Sequence, residues 1–133
     1  MIRFLLDTNI CIELIRRRNA KVLGRLRRHA VGEVAISTIT LAELAYGVEK
    51  SARPEQNRIA LSLFCAPLDI LLFDDAAATA YGVVRADLER KGRPIGPMDL
   101  LIAAHALSAG LVLVTNNERE FRRARGLRVE NWV

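Results

Sequence analysis

Three acidic residues stand where an unpaired carboxylate needs a reason. Asp7 follows directly on the apolar run 2–6. Glu43 lies in a helical segment whose main apolar stripe is Leu41, Leu44, Ala45 and Val48, and it interrupts a second stripe of Ile39, Ala42 and Tyr46. A carboxylate buried there without a partner would be costly. Asp99 opens the most apolar segment of the chain, Pro97-Met98-Asp99-Leu100-Leu101-Ile102-Ala103-Ala104. A fourth polar cluster, Thr115-Asn116-Asn117 with Glu118 and Glu120, follows the apolar run 111–114. Each acid also has an ordinary role open to it. Asp7 can cap the helix behind it, Asp99 can complement a helix dipole, and Glu43 can be solvated. Together they point elsewhere. If the apolar runs are parallel strands, Asp7 and the Thr115 cluster leave the same sheet edge. Carboxylates converging there repel one another unless a cation sits between them, and oxygen-only donors favour Mg2+ or Mn2+. His105, six residues past Asp99, reads as a core or helix-face histidine, which disfavours zinc. Acids plus a hard cation in a basic chain suggest phosphodiester chemistry, with the cation polarising a phosphoryl oxygen and generating hydroxide. No GxxxxGK loop is present for ATP chemistry, and no Ser or Cys sits in a nucleophile motif with a partner His.

The elements that must position these residues alternate along the chain. Strands are expected at 2–6, 34–37, 70–73 and 111–114, with a last edge strand at 128–130. Helices are expected at about 10–18, 20–29 and 39–50, from Pro54 onward, from a cap at Asp74 or Asp75 to about 91, and over 98–109, stopped by Gly110. The runs are short and apolar without polar alternation, as when both faces of a strand are covered. This predicts an α/β fold, a three-layer α/β/α sandwich around a short, mainly parallel sheet, in one domain over 1–133. In such folds the working site lies beyond the carboxyl ends of the strands.

Composition agrees with a soluble, nucleic-acid-facing protein. The chain has 133 residues, 51% hydrophobic and 26% charged, which is too apolar for disorder. Lys and Arg number 20 against 15 Asp and Glu, for a net charge of +5, and 17 of the 20 are arginine, the residue suited to bidentate phosphate recognition. No apolar run approaches the roughly 20 residues of a membrane span, and the N-terminus has the wrong order for a signal peptide. A cytoplasmic location is expected. Cys11 and Cys65 form no metal-like spacing and read as buried, reduced thiols. The basic segment Arg16-Arg17-Arg18, Lys21, Arg25, Arg27-Arg28 reads as a solvated helix pair, a contact for RNA, or a dock for a protein partner.

Four motifs in order, Leu5-Leu6-Asp7-Thr8-Asn9, Thr40-Leu41-Ala42-Glu43-Leu44-Ala45-Tyr46-Gly47, Gly96-Pro97-Met98-Asp99-Leu100-Leu101-Ile102-Ala103 and Val114-Thr115-Asn116-Asn117 ending in Glu120-Phe121, give the chain its resemblance. It resembles the PIN-domain ribonucleases, and within them the VapC toxins of bacterial VapBC toxin–antitoxin pairs, over essentially its whole length. The stretches 93–97 and 127–132 look closest to VapC proteins that cut initiator tRNA in the anticodon region. The resemblance implies a Mg2+-dependent endoribonuclease, with Mn2+ able to substitute, leaving a 5′-phosphate and a 3′-hydroxyl. It implies Asp7 and Asp99 as the principal metal ligands, with Glu43 completing the pocket. Thr8 and Asn9 would shape the first turn; Thr115 and Asn116 would position water or ligand. Many PIN domains carry an Asp where this chain has Asn117. The fourth acidic position therefore lies among Glu120, Glu118 and the neutral Asn117, with Glu120 favoured because it shares a helical face with Asn117. A VapB-type antitoxin, RNA (tRNA in particular) and a second copy of the chain are the implied partners, and Arg16, Arg17 and Arg18 the implied RNA or antitoxin contact. Two other readings of the same residues are an RNA-binding module without catalysis and a metal-dependent phosphatase of a small substrate.

Overall fold

The computed structural model describes residues 1–17, 20–29 and 31–133. Its elements run β1 (Phe4–Leu6), α1 (Thr8–Ile12), a π-helical stretch (Glu13–Arg17), α2 (Ala20–Arg27), β2 (Val34–Ser37), α3 (Thr38–Glu49), α4 (Pro54–Cys65), β3 (Asp69–Leu71), α5 (Asp75–Arg90), α6 (Pro97–Ala109), β4 (Val112–Val114), α7 (Glu118–Phe121) and β5 (Val129–Glu130). The strands lie in the order β3-β2-β1-β4-β5, and every pairing is parallel.

Strand alternation sorts the core into two layers. Leu5, Ala35 and Leu113 point to one face, where Leu88 of α5 and Leu100, Ile102, Ala103 and Ala106 of α6 cover them. Phe4, Leu6, Ile36 and Val114 point to the other, against Ile10, Cys11, Leu14, Val22, Leu44 and Trp132. The expected three-layer sandwich is therefore present, and its sheet is parallel throughout. Helix ends follow their local chemistry. Asp74 caps α5 by accepting from the Ala77 N–H at 2.9 Å, and Gly110 ends α6 at φ 68°, a left-handed geometry that glycine takes freely.

Four expectations need adjustment. The helix expected over 10–18 divides into α1 and the π-helical stretch. β3 spans Asp69–Leu71 and lies at the sheet edge, so Ile70 and Leu72 remain exposed rather than covered on both faces. On α3 the second stripe divides, with Ile39 packed against the core while Ala42 and Tyr46 are exposed and Glu43 sits between; Ala45 of the main stripe is exposed as well. Cys11 is buried, whereas Cys65 is half-buried near the end of α4, and both are free thiols. Among the described residues no helix is long and apolar enough to cross a membrane.

Candidate active site

The register of the sheet builds the site. Leu6 pairs with Ile36 on one side and Val114 on the other. The next residues, Ser37, Asp7 and Thr115, therefore stand abreast at the carboxyl edge, and alternation turns all three side chains toward the face covered by α6. All three are buried.

Asp7 does two jobs. Its Oδ1 accepts the Ile10 N–H at 2.8 Å, capping α1, and its Oδ2 accepts the Thr115 hydroxyl. Burial outweighs these two bonds and lifts its pKa to about 6, with the nearby Glu43 charge pushing the same way. The capping role and the role in an acidic cluster thus coexist in one side chain.

Asp99 lies in the first turn of α6, half-buried. Burial raises its pKa to about 6, aided by the charges of Glu120, Asp7 and Glu43. Asp99 therefore lies within electrostatic reach of the other three acids, and Asp7 within reach of Glu43. Glu43 is carried in by α3, where the Thr8 hydroxyl donates to its Oε1 at 2.6 Å with the buried Thr40 hydroxyl 3.3 Å from Thr8. Thr8 is thus a support for Glu43 as well as a turn residue.

Glu120 and Glu118 part company. The Oε1 of Glu120 accepts the Gly96 N–H at 2.9 Å, and its Oε2 accepts the Asn117 amide at 2.7 Å. The Gly96 bond, with Asn117 adding to it, holds this carboxyl below its usual range. A Cβ at Gly96 would stand 3.6 Å from Asp99 Oδ2 and 3.9 Å from Glu120 Oε1, so the two carboxylates flank that glycine. Glu118 instead turns outward to Arg122 at 3.0 Å. Asn117 links the two halves of the site, since its N–H donates to Thr115 Oγ1 at 2.9 Å while its amide holds Glu120. Asn9 and Asn116 are exposed. Arg16 is exposed and borders a groove with Glu43; the Arg17 side chain and Arg18 lie outside the described residues.

Sequence reasoning passed over Ser37, Thr40 and Gly96. Counting strand register from Asp7 would have found Ser37, and helical spacing from Glu43 would have found Thr40. Gly96 contributes only a backbone N–H, for which no side-chain signal exists.

The donor set suits a hard divalent cation. It consists of carboxylate oxygens, and among the described residues no Lys or Arg makes an ion pair with Asp7, Glu43 or Asp99. Also among the described residues, no three His, Cys, Asp or Glu side chains are gathered tightly enough to hold one ion jointly. That spacing is compatible with Mg2+, which commonly keeps several waters and takes one or two carboxylates. Burial is the main reason Asp7 and Asp99 are raised, the neighbouring carboxylates add to it, and a bound cation would offset both.

Known proteins share both sequence and backbone. The PIN domain matches residues 4–127. The tRNA(fMet)-specific endonuclease VapC of Shigella flexneri is 51% identical over 132 residues, 99% of each chain. The crystal structure of DNA-bound VapBC from Salmonella typhimurium superposes with a TM-score of 0.97 at 47% identity, covering all of both chains. VapBC2 from Rickettsia felis, bound to a promoter DNA fragment, gives 0.95 at 44% identity, again over all of both chains. A likeness that spans the whole chain in sequence and in trace, and includes the elements that bring the acids to one edge, places this chain in the PIN-domain family, within its VapC branch.

Proposed function

We propose that this chain is a Mg2+-dependent endoribonuclease, the toxin of a toxin–antitoxin pair, and that it cuts tRNA, with the anticodon region of initiator tRNA as its target. The observation that carries the reading is the group of carboxylates around Asp99 at the sheet edge, where Asp7, Glu43 and Glu120 all act on it. The tRNA assignment is supported by the name of the Shigella relative.

In this reading Asp7 and Asp99 hold the cation, with Glu43 and Glu120 completing the negative pocket. A divalent cation bound there supplies Lewis acidity toward a phosphoryl oxygen and lowers the pKa of its water. The chain's own residues do the rest. Thr115 pins one oxygen of Asp7 and α1 pins the other, so this carboxylate does not rotate. Thr8 orients Glu43 toward the same edge. Glu120 fixes the turn at Gly96 and so the start of the helix that carries Asp99. Mn2+ serves in place of Mg2+, and the products carry a 5′-phosphate and a 3′-hydroxyl.

A VapB-type antitoxin is the protein partner in this reading, as in the related VapBC complexes. A groove of about 110 Å3 lined by Ile12, Ile15, Leu44 and Val48, with Arg16 and Glu43 at its border, suits an apolar segment followed by a basic residue that reaches the acids. Tyr46, Ile59, Leu63 and Leu72 remain exposed, and a second copy of the chain is their expected cover. A cytoplasmic location follows from such a substrate.

Sequencing RNA 5′ ends after brief induction tests the substrate. New ends confined to the anticodon loop of initiator tRNA support it. Ends scattered over messenger RNA reject the tRNA assignment, and no new ends reject the nuclease reading.

A further inference from the structure

His105 is a core histidine as the sequence suggested, yet it is not inert packing. His105 is 3% exposed, and its Nδ1 lies 2.8 Å from the Oγ of Ser37, a fully buried residue. The same Oγ accepts the Ile39 N–H at 3.0 Å, capping α3. The Ser37 proton is therefore free to be given to Nδ1 of a neutral imidazole. Burial favours that neutral form and lowers the His105 pKa, although Asp74 opposes the shift. Phe73 meets the ring edge-on at 5.5 Å and is itself tied to α3, its N–H donating to Thr38 Oγ1 at 3.2 Å.

This pair joins three parts of the site: the carboxyl end of β2, the start of α3 that carries Glu43, and the middle of α6 that carries Asp99. The Glu120–Gly96 bond holds the start of α6, and His105 adds a second polar tie at its middle. The buried residues of α6 beside His105 are Leu100, Ile102, Ala103, Ala104 and Ala106, spread around the helix. Apolar packing is non-directional, and the three alanines among these contacts interlock less than larger side chains would. A hydrogen bond has a preferred length and angle. Asp99 lies six residues before His105, about 9 Å along the axis, so fixing the histidine fixes the carboxylate. Misplacement by about 1 Å in such a site can cost about a hundredfold in rate.

We propose that Ser37 and His105 are positioning residues whose hydrogen bond sets the offset of Asp99 from Asp7 and Glu43, and thereby the affinity of the site for its cation. The inference rests on the metal-site reading above.

The test is Mn2+ binding to the RNA-free protein, followed by electron paramagnetic resonance, with urea unfolding run alongside. His105→Leu and Ser37→Ala should each weaken Mn2+ binding about tenfold, the scale expected for a group that orients a ligand. His105→Asn, which returns an amide near the Nδ1 position, should stay within about twofold of the parent. Gly110→Ala, a destabilising change at the far end of α6, should bind Mn2+ as the parent does. Parent-like affinity in both His105→Leu and Ser37→Ala would overturn the proposal, and so would His105→Asn binding as weakly as His105→Leu. If His105→Leu does not fold, Ser37→Ala against His105→Asn decides. A parent that binds no Mn2+ overturns the metal site itself, a result distinct from equal binding by parent and variants.

Discussion

Replacing Asp7 by Asn should stabilise the metal-free protein at neutral pH, although it removes a charge from the centre of the site. The carboxylate is 1% exposed, and its pKa rises from 3.8 to about 6. At about 1.4 kcal/mol per pH unit, holding it ionised in the fold costs about 3 kcal/mol at pH 7.5. The sign follows from proton binding. Between about pH 4 and 6 the folded state holds more of this proton than the unfolded state, so the parent loses stability as pH rises through that window. An Asn keeps an oxygen for the Ile10 N–H but presents N–H groups to the Thr115 hydroxyl, at a cost of about 1 kcal/mol. A net gain of about 1–2 kcal/mol is expected in urea unfolding at pH 7.5 with a chelator present. At pH 4 the gain should vanish, because the parent is then protonated. Millimolar Mg2+ should stabilise the parent and leave the variant unchanged. A variant less stable than the parent at pH 7.5, or a difference independent of pH, would refute the argument that burying this ionised carboxylate strains the site.

The roles proposed for these groups predict a pH dependence of activity. Asp7 and Asp99 must be ionised to hold the cation, so at limiting Mg2+ cleavage should fall as pH drops through about 6, and saturating Mg2+ should move that limb to lower pH; a limb that ignores Mg2+ would assign it to another group. Glu120→Gln should raise the Mg2+ concentration needed for half-maximal activity severalfold, while Glu118→Gln, whose carboxylate faces Arg122, should not; equal midpoints for parent and Glu120→Gln would leave three carboxylates in the pocket. RNA affinity should fall with salt at a log–log slope of about −0.7 per phosphate contact. Arg16→Gln should flatten that slope if the exposed guanidinium touches RNA, and an unchanged slope would assign it to solvent or to the antitoxin groove.

Much of this site was legible because it follows from hydrophobic runs and their register. Short apolar segments separated by helices specify a parallel sheet, and a parallel sheet sends the residues after each strand to one edge. Asp7 and the Thr115 cluster follow directly. Glu120 was legible from helical spacing, since Asn117 and Glu120 stand three apart and do bond. The outward face of α3 was not, because periodicity shows that a stripe exists and not which neighbour covers it: Ala42 and Tyr46 are apolar yet exposed. The change from α1 to the π-helical stretch at Glu13 leaves no signal in the apolar spacing. His105 already had a sufficient explanation as a core residue, Ser37 caps α3, and their contact spans 68 positions.

The acids at the sheet edge are proposed to hold the cation that RNA cleavage requires. Purified protein, freed of metal and given initiator tRNA, tests this most directly. Cleavage should appear on adding Mg2+, stop with chelator, and be absent in folded Asp99→Asn at the same Mg2+ concentration. Cleavage that persists in chelator, or full activity in Asp99→Asn, would contradict the account.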